Sequence, residues 1–162
     1  SLGRLGDVAR DRGQLDQTQR YYERKLALNE RRAQEEPRSA AAQQALSVSL
    51  ESLAMLARDR GVLDQALPLF ERALGITQGR LTPGDAATQL QVLVEQLFLT
   101  DLHCRRRDAA AARRALAAAE ATLQHIHDHQ QLVGSADLAR REASLVWLRE
   151  QVAALPPTNL SQ

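Results

Sequence analysis

Three histidines crowd the stretch His125-Ile126-His127-Asp128-His129, and they are the residues whose types and spacing most directly suggest chemistry. His125 and His129 are four apart, so on a helix both imidazoles project from one face, as paired zinc ligands do. Two ligands from one helix leave the rest of a tetrahedral shell unfilled. His103 and Cys104 would have to complete it. If the chain turns near Arg107, His125 lies 18 residues further along, roughly 27 Å from the turn at ~1.5 Å per residue. A polar helix end that happens to be rich in histidine accounts for the cluster without a metal, and none is expected.

Nucleophilic chemistry finds no better footing. Cys104 has no positioned base beside it, and Ser47, Ser49 and Ser52 fall at helical spacing rather than on a strained turn. Gly3 and Gly6 make only a short G-x-x-G, not a phosphate-cradling loop. No catalytic residue and no cofactor is expected, which leaves a metal-dependent enzyme as the most distant alternative. Twenty-one basic against 20 acidic residues give a net charge of +1, no long-range field for nucleic acid or an acidic membrane. No apolar run approaches the roughly 20 residues that span a bilayer, and no signal-peptide layout opens the chain. One cysteine fits a reducing compartment, so a cytoplasmic location is expected.

The elements that would position any site come from an internal repeat. Residues 1–26 laid over 49–74 give 14 identities in 26 positions without a gap. The shared block includes Ala9-Arg10-Asp11-Arg12-Gly13 over Ala57-Arg58-Asp59-Arg60-Gly61. Leu2, Leu5 and Ala9 recur at helical spacing, Gly13 breaks the run, and Leu15, Tyr22 and Leu26 resume it; the second copy repeats this with Leu50, Leu53, Ala57, Gly61, Leu63, Phe70 and Leu74. Each copy is therefore a helical hairpin turning on glycine, which tolerates positive φ.

At Leu53, Ala54, Gly61, Ala66, Phe70, Ala73 and Leu74 the chain resembles the tetratricopeptide repeat family. The first copy matches at Leu5, Gly6, Gly13, Tyr22 and Leu26 but places Thr18 and Lys25 at two small-residue positions. A drifted third copy follows 46 residues after the second: Leu99-Thr100-Asp101-Leu102-His103 carries the first-helix pattern, Arg107 stands at the turn glycine, and Ala112, Leu116 and Ala119 give the small, large, small positions. Pro37 and Pro83 share that offset and separate the copies. The family repeats every ~34 residues, so a spacing of 46 to 48 means longer helices or longer connections; longer helices are expected, with Ser39 to Arg60 as one extended first helix. This form is similar to a long-period subclass common in bacterial multidomain proteins.

The resemblance implies an all-α fold, a right-handed α-α superhelix (tetratricopeptide-like solenoid) of three helical hairpins plus a C-terminal capping helix. The hairpins are expected at 1–36, 38–81 and 84–132. The capping helix is expected at 135–155, begun by Ser135 after Gly134 and striped with Leu138, Leu145, Leu148, Val152 and Leu155, and the tail at 156–162. Ser1-Leu2 aligns with Ser49-Leu50 in mid-helix, as expected of a fragment of a larger protein whose first hairpin is truncated.

In this family the first helices line a concave groove that holds peptide or helical segments of partner proteins. The alignment assigns to it Arg4, Asp7, Arg10 and Asp11 from copy one, Glu51, Ser52, Met55, Arg58 and Asp59 from copy two, and Phe98, Asp101 and Arg105 from copy three. Arg10, Arg58 and Arg105 would form a ladder. Guanidinium groups bind carboxylates through two parallel hydrogen bonds, so an acidic protein segment is the partner expected. The competing reading has Asp11 and Asp59 neutralising their neighbours on a solvated face. The alternative function is an oligomerisation or spacer segment.

Overall fold

The computed structural model describes residues 14–157 together with Arg4, and among them every regular element is a helix. In chain order they are α1 (Leu15–Glu35), α2 (Ala40–Asp59), α3 (Leu63–Gly79), α4 (Ala86–Arg105), α5 (Ala109–Asp128) and α6 (Ala136–Ala153). Helix α2 packs against α1 and α3, and α4, α5 and α6 pack against one another, in the manner of tetratricopeptide-like helical hairpins. The chain divides into two compact units between Gly79 and Arg80, so α1–α3 make one and α4–α6 the other. The predicted first helix of copy one lies outside the described residues.

In the first unit, α2 and α3 form the tightest pair because small side chains line their contact. Ala54, Ala66 and Ala73 are fully buried and let Leu50 and Phe70 fill the space between the backbones. A side chain the size of Phe70 contributes about 1.5–3 kcal/mol when removed from water. Ala33, Leu46, Leu50 and Ala73 cluster with Leu26, Leu69 and Ile76. Ser39 caps α2 by accepting a hydrogen bond from Ala42 N–H, and the helix runs 20 residues to Asp59. The lengthened period is thus filled by helix.

The turn after α2 is a Schellman ending. Gly61 N–H donates to Arg58 C=O at 2.9 Å and Val62 N–H to Ala57 C=O at 2.9 Å, while Gly61 takes φ +77°. At the end of α1, Glu36 precedes Pro37 and leaves the helical region with ψ 64°, as steric conflict with the proline ring requires. Pro83 and Gly84 occupy the middle of a type II turn closed by Asp85 N–H to Thr82 C=O at 3.1 Å, with Gly84 at φ +81°.

In the second unit, Leu93, Leu97, Ala119, Leu123, Ile126, Leu138, Leu145 and Leu148 make one core shared by all three helices. Asp85 and Asp108 cap α4 and α5, and Ser135 caps α6. The turn between α4 and α5 repeats the Schellman pattern, Arg107 N–H to Cys104 C=O and Asp108 N–H to His103 C=O, both 3.0 Å. Here Arg107 holds the left-handed position at φ 58°. Helix α5 ends at Asp128 in a third such turn, with Gln130 at φ 49° and Gln131 N–H on Ile126 C=O at 3.0 Å. That is ahead of the break expected at Gly134: the two turn bonds satisfy the last carbonyls without a glycine.

Candidate functional site

Helix α2 presents Glu51, Met55 and Arg58 at intervals of four and three, one surface stripe of a helix. All three are half-buried. Glu51 has one carboxylate oxygen, Oε1, shielded from solvent and without a hydrogen bond. Ser52 donates its hydroxyl to Val48 C=O of its own helix at 3.0 Å. The Arg58 side chain is only 16% exposed and pairs with Asp59 at 3.2 Å. On α4, Asp101 accepts from Arg105 Nε at 2.9 Å, one helical turn apart, and Phe98 is half-buried. Arg4 is exposed, and Asp7, Arg10 and Asp11 lie outside the described residues. Counted from the left-handed residue of each turn, Arg58 stands three positions before Gly61 and Arg105 two before Arg107. The two arginines are therefore about 100° apart in helical phase relative to their turns.

Both described arginines of the row thus spend part of their hydrogen-bonding capacity on a carboxylate of their own helix. Such pairs at the surface are worth ~0–1 kcal/mol, so an incoming carboxylate can compete for either guanidinium.

The histidine cluster is arranged for packing and pairing. His125 and His129 stack with ring centroids 4.1 Å apart, His129 Nδ1 meets His125 C=O at 2.9 Å, and His127 Nε2 reaches Glu142 of α6 at 2.9 Å. No group of three or more His, Cys, Asp or Glu able to hold a metal occurs among the described residues. His103 and Cys104 sit at the end of α4 next to the turn, whereas His125 is near the far end of the antiparallel α5. The Cys104 thiol is pushed above its ordinary value by burial and then by the charge of Asp101, which disfavours the nucleophilic thiolate. The hydroxyls of Ser47 and Ser49 donate to carbonyls of their own helix.

Two surface features escape a reading by repeat position. A groove of about 470 Å³ runs between α5 and α6, crossed by Arg149 Nε to Glu120 at 2.7 Å and by the His127–Glu142 pair. A second, of about 380 Å³, lies on the first unit near Arg60, whose guanidinium bonds Asp16 at 2.9 Å and Gln19 at 2.7 Å. The partners are 29 and 44 residues apart, beyond any local spacing rule. No described helix is long and apolar enough to cross a membrane.

Residues 49–84 match the family model described as a tetratricopeptide repeat. The match begins nine residues into α2, so residues 40–48 are the backward extension that lengthens the period. No curated protein sequence matches the chain. Repeats of this kind generally serve as scaffolds for protein–protein interaction, and the buried alanines, the glycine turn and the central Phe70 agree with the match, which likens the α2–α3 hairpin to a tetratricopeptide repeat.

Proposed function

We propose that the chain is a non-catalytic, cytoplasmic interaction module of the long-period bacterial kind, binding a peptide or helical segment of a partner protein on its first-helix faces. The observation that carries this is the α2–α3 hairpin. It buries its apolar residues between its own helices and against α1, leaving Glu51, Met55 and Arg58 as a mixed acidic, apolar and basic stripe. The shielded Glu51 oxygen calls for a donor, and Arg58 and Arg105 offer guanidinium groups to a carboxylate. The candidates that the alignment supplies from copy one are Arg4, Asp7 and Arg10. The test is peptide display against the folded chain, followed by charge reversal of Arg10, Arg58 and Arg105 together. Selected peptides should lose binding while helical content is retained; undiminished binding would place the site elsewhere.

Self-association is a second reading, favoured by Val146 and Trp147 on α6, which are 54% and 50% exposed. Light scattering over a wide concentration range separates the two. A chain that stays monomeric throughout removes self-association.

A further inference from the structure

Five arginines and one aspartate occupy residues 105–114, a local charge of +4 in a chain of net +1, so the remainder carries −3. Arg105 is held by Asp101 and Arg106 has a partner of its own. Arg107, Arg113 and Arg114 are exposed and pair with no carboxylate among the described residues. Arg107 is fixed at the turn by its two-bond Schellman geometry, immediately before the α5 cap Asp108. Arg113 and Arg114 follow in the second turn of α5, about 10 Å from Arg107 along the axis. Only the cap and four alanines separate Arg107 from Arg113 and Arg114, and the Asp108 carboxylate is engaged by Ala111 N–H at 3.1 Å rather than by any of the three guanidinium groups.

We infer that Arg107, Arg113 and Arg114 form a docking surface for an acidic segment of a partner protein, apart from the first-helix stripes. An extended segment places same-face carboxylates roughly 7 Å apart, so two or three acidic residues span the cluster and each meets a planar guanidinium fork. The equivalent turn of the first unit already shows the chemistry: Arg60 there binds the Asp16 carboxylate of a neighbouring helix at 2.9 Å. Nucleic acid fits less well. No aromatic side chain lies within residues 105–118 to stack on a base.

The experiment uses the full chain and a fluorescein-labelled decaglutamate peptide, read by fluorescence anisotropy at low ionic strength. Changing Arg107, Arg113 and Arg114 to Gln should weaken binding at least tenfold. Arg113→Gln with Arg114→Gln, both in a helix that glutamine supports, should give an intermediate loss with unchanged helical content. The control neutralises Arg31, Arg72 and Arg140, which are already paired. An equal loss in that control would reduce the effect to net charge and overturn the proposal, as would no loss in the first variant. Tighter, arginine-dependent binding of a ten-nucleotide single-stranded DNA would overturn it in favour of nucleic acid. Because the first-helix stripes are untouched in all these variants, failure here leaves the proposed groove function standing.

Discussion

The two units contain the same hairpin solved with different residues. Counted over the 46-residue offset, Leu50 and Ile76 of the first unit correspond to Gln96 and Thr122 of the second. The former are packed into one apolar cluster. The latter are joined by a buried hydrogen bond, Thr122 Oγ1 to Gln96 Oε1 at 2.6 Å. Phe70, fully buried, corresponds to Leu116, which is only partly buried. Gly61 corresponds to Arg107, and the Ser39 cap to Asp85. Repeat position sets which backbone conformation a residue must take and which side chains face the hairpin contact, but leaves open how deeply each is buried and whether packing or polar pairing fills the place.

The largest difference should appear at the aromatic position. Phe70→Ala opens a cavity between closely approaching helices and should cost about 3–5 kcal/mol. Leu116→Ala removes fewer buried contacts and should cost about 1–2 kcal/mol, below the usual range for a fully buried leucine. Urea unfolding of both variants gives the ranking; equal costs would mean that the drifted hairpin relies on its large residue as heavily as the first does.

Next in size is the polar pair. Thr122→Val leaves the buried Gln96 oxygen without its donor and should cost about 1–3 kcal/mol. Adding Gln96→Leu recreates the apolar solution of the first unit and should recover most of that loss, since replacing both partners of a buried hydrogen bond is often close to neutral. A double variant no more stable than the single one would show that Gln96 is retained by its other neighbours.

Much of the fold was legible because the repeat carries its own punctuation. The Ser39 cap, the glycine turn at 61, the backward extension of α2 and the start of α6 at Ser135 follow from residue types that impose a backbone state. The end of α5 did not follow, since a Schellman turn at Gln130 uses backbone bonds that any sequence supplies. The Gln96–Thr122 bond was hidden for the same reason that the third copy looked drifted: its residues no longer repeat those of the second. On the surface, the stripe Glu51, Met55, Arg58 could be read from helical spacing. Pairings such as Arg149–Glu120 could not, because they depend on how two helices lie together rather than on the order of residues in either. The arginine cluster at 105–114 was visible in composition, but which of its members remain unpaired required the side-chain positions.

The turns should respond in opposite directions. Adding a Cβ at Gly61 meets no atom within 4 Å, so Gly61→Ala costs only the strain of positive φ, about 1 kcal/mol. Arg107→Gly relieves the same strain but frees the unfolded chain, and should stabilise by no more than about 1 kcal/mol. Thermal midpoints of the two variants should move apart; a fall in both would show that the Arg107 side chain holds contacts that compensate its backbone.

The smallest effect distinguishes the caps. Asp85 accepts from Thr88 Oγ1 at 2.5 Å and from Thr88 N–H at 3.0 Å. Its carboxyl is held below the ordinary value of 3.8 first by the hydroxyl, then by the backbone N–H, with Arg80 adding to them against partial burial. A carboxylate whose folded value is depressed contributes stability above its unfolded value and loses it as pH falls through the folded one. Ser39, at the equivalent place, does not titrate. Asp85→Ser should therefore destabilise the protein slightly at pH 7, by about half a kcal/mol or less for so exposed a group. The deficit should shrink as pH falls from the ordinary carboxylate value through the depressed folded one, below which the wild-type aspartate is itself neutral. Unfolding midpoints of both proteins, followed stepwise from pH 7 down to pH 2, measure this. A gap that stays constant over the whole range would mean that the aspartate acts through its shape and hydrogen bonds alone, and that the two caps differ in chemistry but not in their response to acid.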